Sequence, residues 1–296
     1  MPTSRLLPWV VRVLWAALPF TTGTVLAHAM SSWSAAPRDV ASVGLWLGWA
    51  GVLVGTLVPR PSGLTALRVA APAVLGAVLA SLVTHHAGVA TRVLAPAWAL
   101  ATSAVALAPE TAVVFVNGTA YPDERRFPLR PPGPLLLGPL PLAWATVAGG
   151  AATGPLLLAD RRWVAGAVTL LLLPASVVLA RSLHELARRW VVFVPAGVVL
   201  HDPLALADPV LFQRRLVEAL GPAAADTSGA LDLTQRALGL ALELRLRDDH
   251  ELAVARPRRR TETVHARRLL FTPTRPGAVV AEARARGYAA MPPPST

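Results

Sequence analysis

Six apolar stretches, each close to the length needed to cross a bilayer, occupy most of the first 183 residues and constrain the fold more than any other feature. They run Leu6–Ala29, Val40–Val58, Leu64–Val83, Val93–Pro109, Pro134–Leu158 and Trp163–Leu183. A helix of about 20 mostly apolar residues spans the hydrocarbon core. The fourth stretch is the shortest and extends towards Val116 if the helix continues. A membrane all-α bundle is therefore expected over residues 1–187. Composition agrees, with 54% hydrophobic and only 15% charged residues and a mean hydropathy of +0.50, which argues against a purely soluble chain.

Cysteine is absent, which excludes disulfides, thiolate zinc sites and thiol nucleophiles. All 28 basic residues are Arg, for a net charge of +11. With abundant Ala, Leu, Val and Pro, this usage fits a GC-rich bacterial genome. No helix or aromatic-rich segment presents the Arg as a continuous stripe, so nucleic acid is not an expected partner.

Arg in the flanks and short loops sets the orientation. With the N-terminus inside, Arg5, Arg12, Arg60, Arg68, Arg125, Arg126, Arg130, Arg181, Arg188 and Arg189 fall on the cytoplasmic side, against Arg38, Arg92, Arg161 and Arg162 outside. Ten against four gives a multi-pass protein of the bacterial plasma membrane with both termini cytoplasmic. Ala27-His28-Ala29 fits a signal-peptidase site, but the length of the first stretch and the spans after it favour an uncleaved helix.

Within the spans, Gly44, Gly48, Gly51 and Gly55 share one helical face, where a neighbouring helix of the bundle is expected to approach closely. Pro139, Pro141, Gly149, Gly150, Gly154 and Pro155 predict a kink in the fifth span. Arg12 and Arg68 lie near enough to the interface to snorkel. Glu110, after Pro109, is the candidate intramembrane carboxylate. His28, His85 and His86 share one predicted membrane face with Asp39. Their spacing lacks any HxxxH or HExxH pattern, so neither a metal nor another cofactor is expected.

Between the fourth and fifth spans, Glu110–Pro134 combines β-prone Ala112–Val116, a turn signal at Asn117-Gly118 and several prolines. It reads as a small hairpin or as a strand lent to the C-terminal domain. The pattern changes again at RRWVVFVPAGVVLHD, Arg188–Asp202, which reads as a β-hairpin opening a domain over residues 188–296. Val210–Leu220 fits a strand or a short helix. Alternating leucines at 238, 240, 242, 244 and 246 predict a strand over Ala237–Arg247. Asp248-Asp249-His250 reads as a turn, with Glu251–Ala255 as the returning strand. Val264–Phe271 reads as the last strand, and Gly277–Arg286 as a helix with Thr274 as cap, Pro276 in its first turn and Gly287 as its stop.

The WVVFVPAGVVLHD hairpin and the closing LLFTPTRPGAVVAEARARG resemble the bacterial pleckstrin-homology-like domains of multi-pass membrane proteins in actinobacteria. The resemblance covers Arg188–Thr296 and implies a small bent sheet or barrel with one end plugged by the C-terminal helix. That helix carries no Trp here, unlike those of most eukaryotic pleckstrin domains, so phosphoinositide binding is not carried over.

Arg256, Arg258, Arg259 and Arg260 form the densest charge cluster and, with Arg188 and Arg189, are the candidate contacts to anionic lipid headgroups. Trp190 is expected at headgroup level. His201-Asp202 reads as a solvated turn. No nucleophile elbow, phosphate loop or dinucleotide fingerprint is present, so no catalytic residue is named. The expected role is a non-enzymatic scaffold whose C-terminal domain meets membrane lipids or other proteins. The alternatives are a small transporter or channel using Glu110 and the fifth span, and a lipid-metabolising enzyme built on the interfacial His28, His85, His86 and Asp39.

Overall fold

The computed structural model describes residues 3–84, 88–224, 227–256 and 260–291. Among these, six helices are long and apolar enough to cross a membrane: Leu6–Ala29, Ala35–Leu57, Pro61–Thr84, Val89–Leu107, Pro139–Ala159 and Trp163–Ala187. The chain divides into a helical unit, Met1–Gly118 with Leu140–His184, and a sheet unit, Thr119–Pro139 with Glu185–Thr296.

Three breaks fall beside a proline, Pro19, Pro109 and Pro174, with polar side chains supplying donors at the first two. Pro72, Pro96 and Pro155, by contrast, lie inside continuous helices. The first span is two helices, α1 (Thr3–Ala16) and α2 (Leu18–Ala29). Pro19 has no N–H to give the Trp15 carbonyl four residues back. The indole of Trp49, in α3 (Ala35–Leu57), donates to that carbonyl at 3.1 Å, and the Trp15 indole returns a bond to the Trp49 carbonyl at 2.9 Å. Trp98, in α5 (Val89–Leu107), donates to the neighbouring Leu14 carbonyl at 3.0 Å. An unsatisfied carbonyl in lipid costs several kcal/mol, so these indoles make the break tolerable.

The same logic ends the fourth span. Pro109 opens α6 (Pro109–Asn117) and deprives the Val105 carbonyl of its i+4 donor, and the Ala108 amide at 3.3 Å and the Thr111 hydroxyl at 2.6 Å take its place. Arg68, in α4 (Pro61–Thr84), donates to the Ala106 carbonyl at 3.4 Å. Arg12 reaches across to the last carbonyls of α3, Thr56 at 3.2 Å and Leu57 at 3.2 Å, where a cation also suits the helix dipole. Two residues read as snorkelling cations thus serve as backbone caps.

Two expectations for this unit are corrected. Ala112–Val116 is helical, because Pro109 and Glu110 start a helix and a β-branched run inside a helical unit follows its neighbours rather than its propensity. A side chain at Gly44, Gly48 or Gly51 would meet nothing within 4 Å; only Gly55 is closely approached, by Gly63 of α4. The fifth span, preceded by the short α7 (Gly133–Leu136), is one uninterrupted helix, α8 (Pro139–Ala159), whereas the sixth divides into α9 (Trp163–Leu170) and α10 (Leu173–Ala187) ahead of Pro174.

The sheet unit contains two four-stranded sheets. In the first, the Arg188–Asp202 stretch forms the hairpin β2 (Trp190–Val194) and β3 (Gly197–His201). Strand β1 (Arg125–Pro128), from between the fourth and fifth spans, pairs with β2, and β4 (Val210–Gln213) with β3, giving the order β1-β2-β3-β4. The strand is lent, and no hairpin forms at Asn117-Gly118.

The second sheet has the order β5-β7-β8-β6, from β5 (Val217–Pro222), β6 (Leu231–Asp232), β7 (Leu242–Arg256) and β8 (Arg260–Phe271). Val210–Leu220 is therefore strand, a 3-10 turn at Arg214–Leu216, and strand again. Asp248-Asp249-His250 is not a turn. It lies within β7, where the register to β8 shifts between Arg245 and His250, so the polar residues are carried on a bulge and not on a reversal. Leu238 and Leu240 precede the strand and are exposed, while Leu242, Leu244 and Leu246 enter the core.

One core joins both sheets, with Phe127, Phe193, Phe212, Leu244 and Phe271 buried together. Bridges Leu129–Pro273 and Leu206–Val254 stitch the sheets at two corners. Helix α11 (Pro276–Ala285) adds Val279 and Ala283 to the core. Arg275, not Thr274, occupies its N-cap, and its side chain does not cap the helix. Gly287, at φ 75°, ends it in the left-handed conformation that glycine adopts at no steric cost.

Candidate functional site

A buried ion pair closes the open end of the β2–β3 hairpin. Arg189 precedes β2 and Asp202 follows β3, so antiparallel pairing brings them together. Arg189 donates through Nε to Asp202 Oδ1 and through Nη2 to Oδ2, both at 2.7 Å, and through Nη1 to the Arg130 carbonyl, also at 2.7 Å. Asp202 Oδ1 further accepts the Leu204 amide at 3.1 Å. Arg189 is 1% exposed and Asp202 2%. This fork clamps the hairpin to the segment leaving β1. Arg189 is thereby withdrawn from the lipid-contact set, and Asp202 is not the solvated turn residue expected.

Outside the clamp, Trp190 meets the His201 ring edge-on at 5.2 Å, and the Arg126 guanidinium lies 5.5 Å over the Trp190 ring. Glu124 accepts two bonds from Arg126, at 2.8 and 3.1 Å. The Arg126 bond, outweighing burial, holds the Glu124 carboxyl below the usual glutamate range. Burial, then the Arg188 charge, pushes His201 below the usual imidazole value, against the pull of Asp202 and Glu185. Its Nδ1 is buried without a partner. Trp190 is thus half-buried between Arg126 and His201.

The remaining candidate cations sit on separate elements. Arg188 is exposed and pairs with Glu185 at 3.4 Å. Arg256 pairs with Glu262 at 2.6 Å across the tip of the β7–β8 hairpin, and Arg260 is exposed beside it. Arg258 and Arg259 lie outside the described residues, as do His85 and His86. His28 and Asp39 are exposed, and among the described residues no group of three His, Asp or Glu is placed to hold a metal ion. Glu110 stands in the first turn of α6, exposed from the helical unit and not buried within it.

Sequence reasoning missed a second buried carboxylate. Glu243 of β7 is 1% exposed and accepts bonds from Arg268 of β8 at 2.8 and 3.0 Å and from Arg245 at 3.1 Å. The Arg268 bond lowers its pKa against the opposing effect of burial. An acidic residue on the strand face opposite the leucines, with Arg two positions on, was the available signal. Arg130 Nε and the hydroxyls of Thr272 and Thr274 also lack partners. All three are closed to solvent, so they present no surface to a ligand.

Six apolar helices and a two-sheet domain with a terminal helix define a membrane-embedded protein with a folded domain outside the spans. No family model, curated protein or solved structure matches the chain.

Proposed function

We infer that the chain is a non-enzymatic scaffold of the bacterial plasma membrane. In this reading it presents a pleckstrin-homology-like domain of the actinobacterial type on the cytoplasmic face, to membrane lipids or partner proteins. One observation carries the reading: the chain crosses between the helical and sheet units at three places, after Gly118, Pro139 and His184, so the domain is tethered to the spans on both flanks. Pairing of β1 with β2 requires both strands to lie on one side of the membrane, and therefore an even number of crossings between them. The two last spans supply that number, and the Arg bias makes the shared side cytoplasmic.

Two four-stranded sheets around one core, to which the C-terminal helix adds Val279 and Ala283, support the pleckstrin-like assignment. The Arg256 and Arg260 tip favours anionic headgroups, at about 1 kcal/mol for each cation near the surface. The transport alternative draws no support from an outward-facing Glu110 and an unbroken α8. In-cell crosslinking with mass spectrometry tests the scaffold by comparing the full chain with one ending at Ala187. Loss of partner crosslinks is expected, and retention of all of them refutes it. Reporter fusions after Leu183 should be active only in the cytoplasm.

A further inference from the structure

We propose that the Arg236–Leu240 loop and the α7 turn together form a membrane-dipping patch that places Leu137, Leu238 and Leu240 in the bilayer interface. The proposal rests on the membrane placement of the spans and not on the scaffold reading.

Alternation alone assigns Leu238 and Leu240 to a buried strand face, yet they are 65% and 52% exposed, and the strand begins only at Leu242. The loop that carries them is formed, not frayed. Asp232 accepts the Thr234 amide at 2.8 Å, the Thr234 hydroxyl accepts the Arg236 amide at 3.2 Å, and the Thr234 carbonyl accepts the Ala237 amide at 3.0 Å. Gln235 and Arg236 adopt φ of 54° and 55°, and Gly239 takes φ 119°. Any side chain at Gly239 would press on the Arg130 guanidinium, with Nε only 3.0 Å from its Cβ position. A loop held this firmly, with its leucines turned outward, has been shaped to present them.

What it faces follows from the chain. The Gly133 amide donates to the Arg236 carbonyl at 3.2 Å, and Leu238 Cγ lies 3.8 Å from where a side chain on Gly133 would begin. Gly133 opens α7, and Leu137, at its C-cap, is 94% exposed. The fifth span starts at Pro139. Two residues reach at most about 7 Å, comparable with the polar layer of one leaflet, about 5–8 Å. Leu137 is therefore held in the interface, and the loop packs on the same short turn. Single exposed leucines are ordinary, but neighbouring ones beside a membrane-entering segment mark a lipid surface. The exposed Arg236 flanks them, as cations flank apolar residues at headgroup level.

The chain has no cysteine, so Leu137→Cys, Leu238→Cys, Leu240→Cys and the control Leu211→Cys can each carry one environment-sensitive fluorophore. The full protein is placed in nanodiscs of phosphatidylcholine and phosphatidylglycerol, with or without brominated acyl chains. Blue-shifted emission and loss of intensity in brominated lipid are expected at 137, 238 and 240, and neither at 211, on β4. Water-like emission that brominated lipid leaves unchanged overturns the proposal. So does blue-shifted emission without loss of intensity, which would mean that a protein surface, such as a second copy, covers the patch. These readouts are independent of partner crosslinks, so the scaffold can fail while the patch stands, and the reverse.

Discussion

Replacing Arg189 by Met should release the first sheet from its anchor. The substitution removes three bonds of 2.7 Å and leaves Asp202, 2% exposed, holding the Leu204 amide. Breaking a buried pair from one side costs about 3–5 kcal/mol, because the surviving charge stays in a poorly solvating site. At about 1.4 kcal/mol for each factor of ten, local opening becomes roughly one hundred to several thousand times more frequent. Hydrogen exchange of the Trp190–His201 peptide, read by mass spectrometry on the full protein in nanodiscs, measures this directly. The Asp202→Leu variant should show a loss of similar order, because Arg189 then keeps only the Arg130 carbonyl. The double variant Arg189→Met/Asp202→Leu should recover much of the protection, since an apolar pair of similar volume carries no unpaired charge. A change below about tenfold in the single variant, or a double variant as damaged as the two singles combined, would refute the clamp.

Other outcomes follow from the same physics. Trp49→Phe should destabilise the helical unit by about 1 kcal/mol through the lost bond to the Trp15 carbonyl. Adding Pro19→Ala should reduce that loss by restoring a backbone donor, as read by a double-variant cycle of unfolding in mixed detergent. Because Glu243 has a depressed pKa in the folded chain, its stabilisation is present above the ordinary glutamate value of 4.5 and disappears as pH falls through the folded pKa; acid unfolding of Glu243→Gln should be less steep in that window. The lowered pKa of His201 acts in the same direction, at higher pH. Protonation is disfavoured in the fold, so protection of β2 and β3 should fall as pH drops below the ordinary imidazole value of 6.5, and His201→Leu should flatten that dependence in exchange measured across the range.

The spans were legible because length and hydropathy act over twenty residues and average out local accidents. Their breaks were legible only in part. Pro19 and Pro109 mark where donors are missing, but which side chain replaces each donor depends on helix packing that has no local signature. Leu238 and Leu240 continue the same alternation as Leu242 and Leu244, and periodicity cannot tell the end of a strand from the loop before it. The strained backbone at Gln235, Arg236 and Gly239 decides that boundary, and only Gly239 announces itself in the sequence. Asp248-Asp249-His250 looked like a turn because bulges and reversals share polar residues. The candidate cations were read as one class of exposed Arg, yet Arg188 and Arg189, adjacent in sequence, point to solvent and to Asp202 respectively. Strand alternation places neighbours on opposite faces, and that rule, applied to the residues just before β2, separates the two.

The borrowed strand imposes an order of manufacture. Strand β1 leaves the ribosome roughly sixty residues before its partner β2, and both of the last spans must be threaded into the bilayer during the delay. At translation rates of about 5–20 residues per second, that delay lasts roughly 3–12 s. Throughout it, Arg125–Pro128 has an unpaired edge and Phe127 an unburied ring. Successful insertion of the final helical pair is thus reported chemically by the disappearance of an exposed strand, and a chain that stalls or misinserts there keeps its edge open to quality-control proteases.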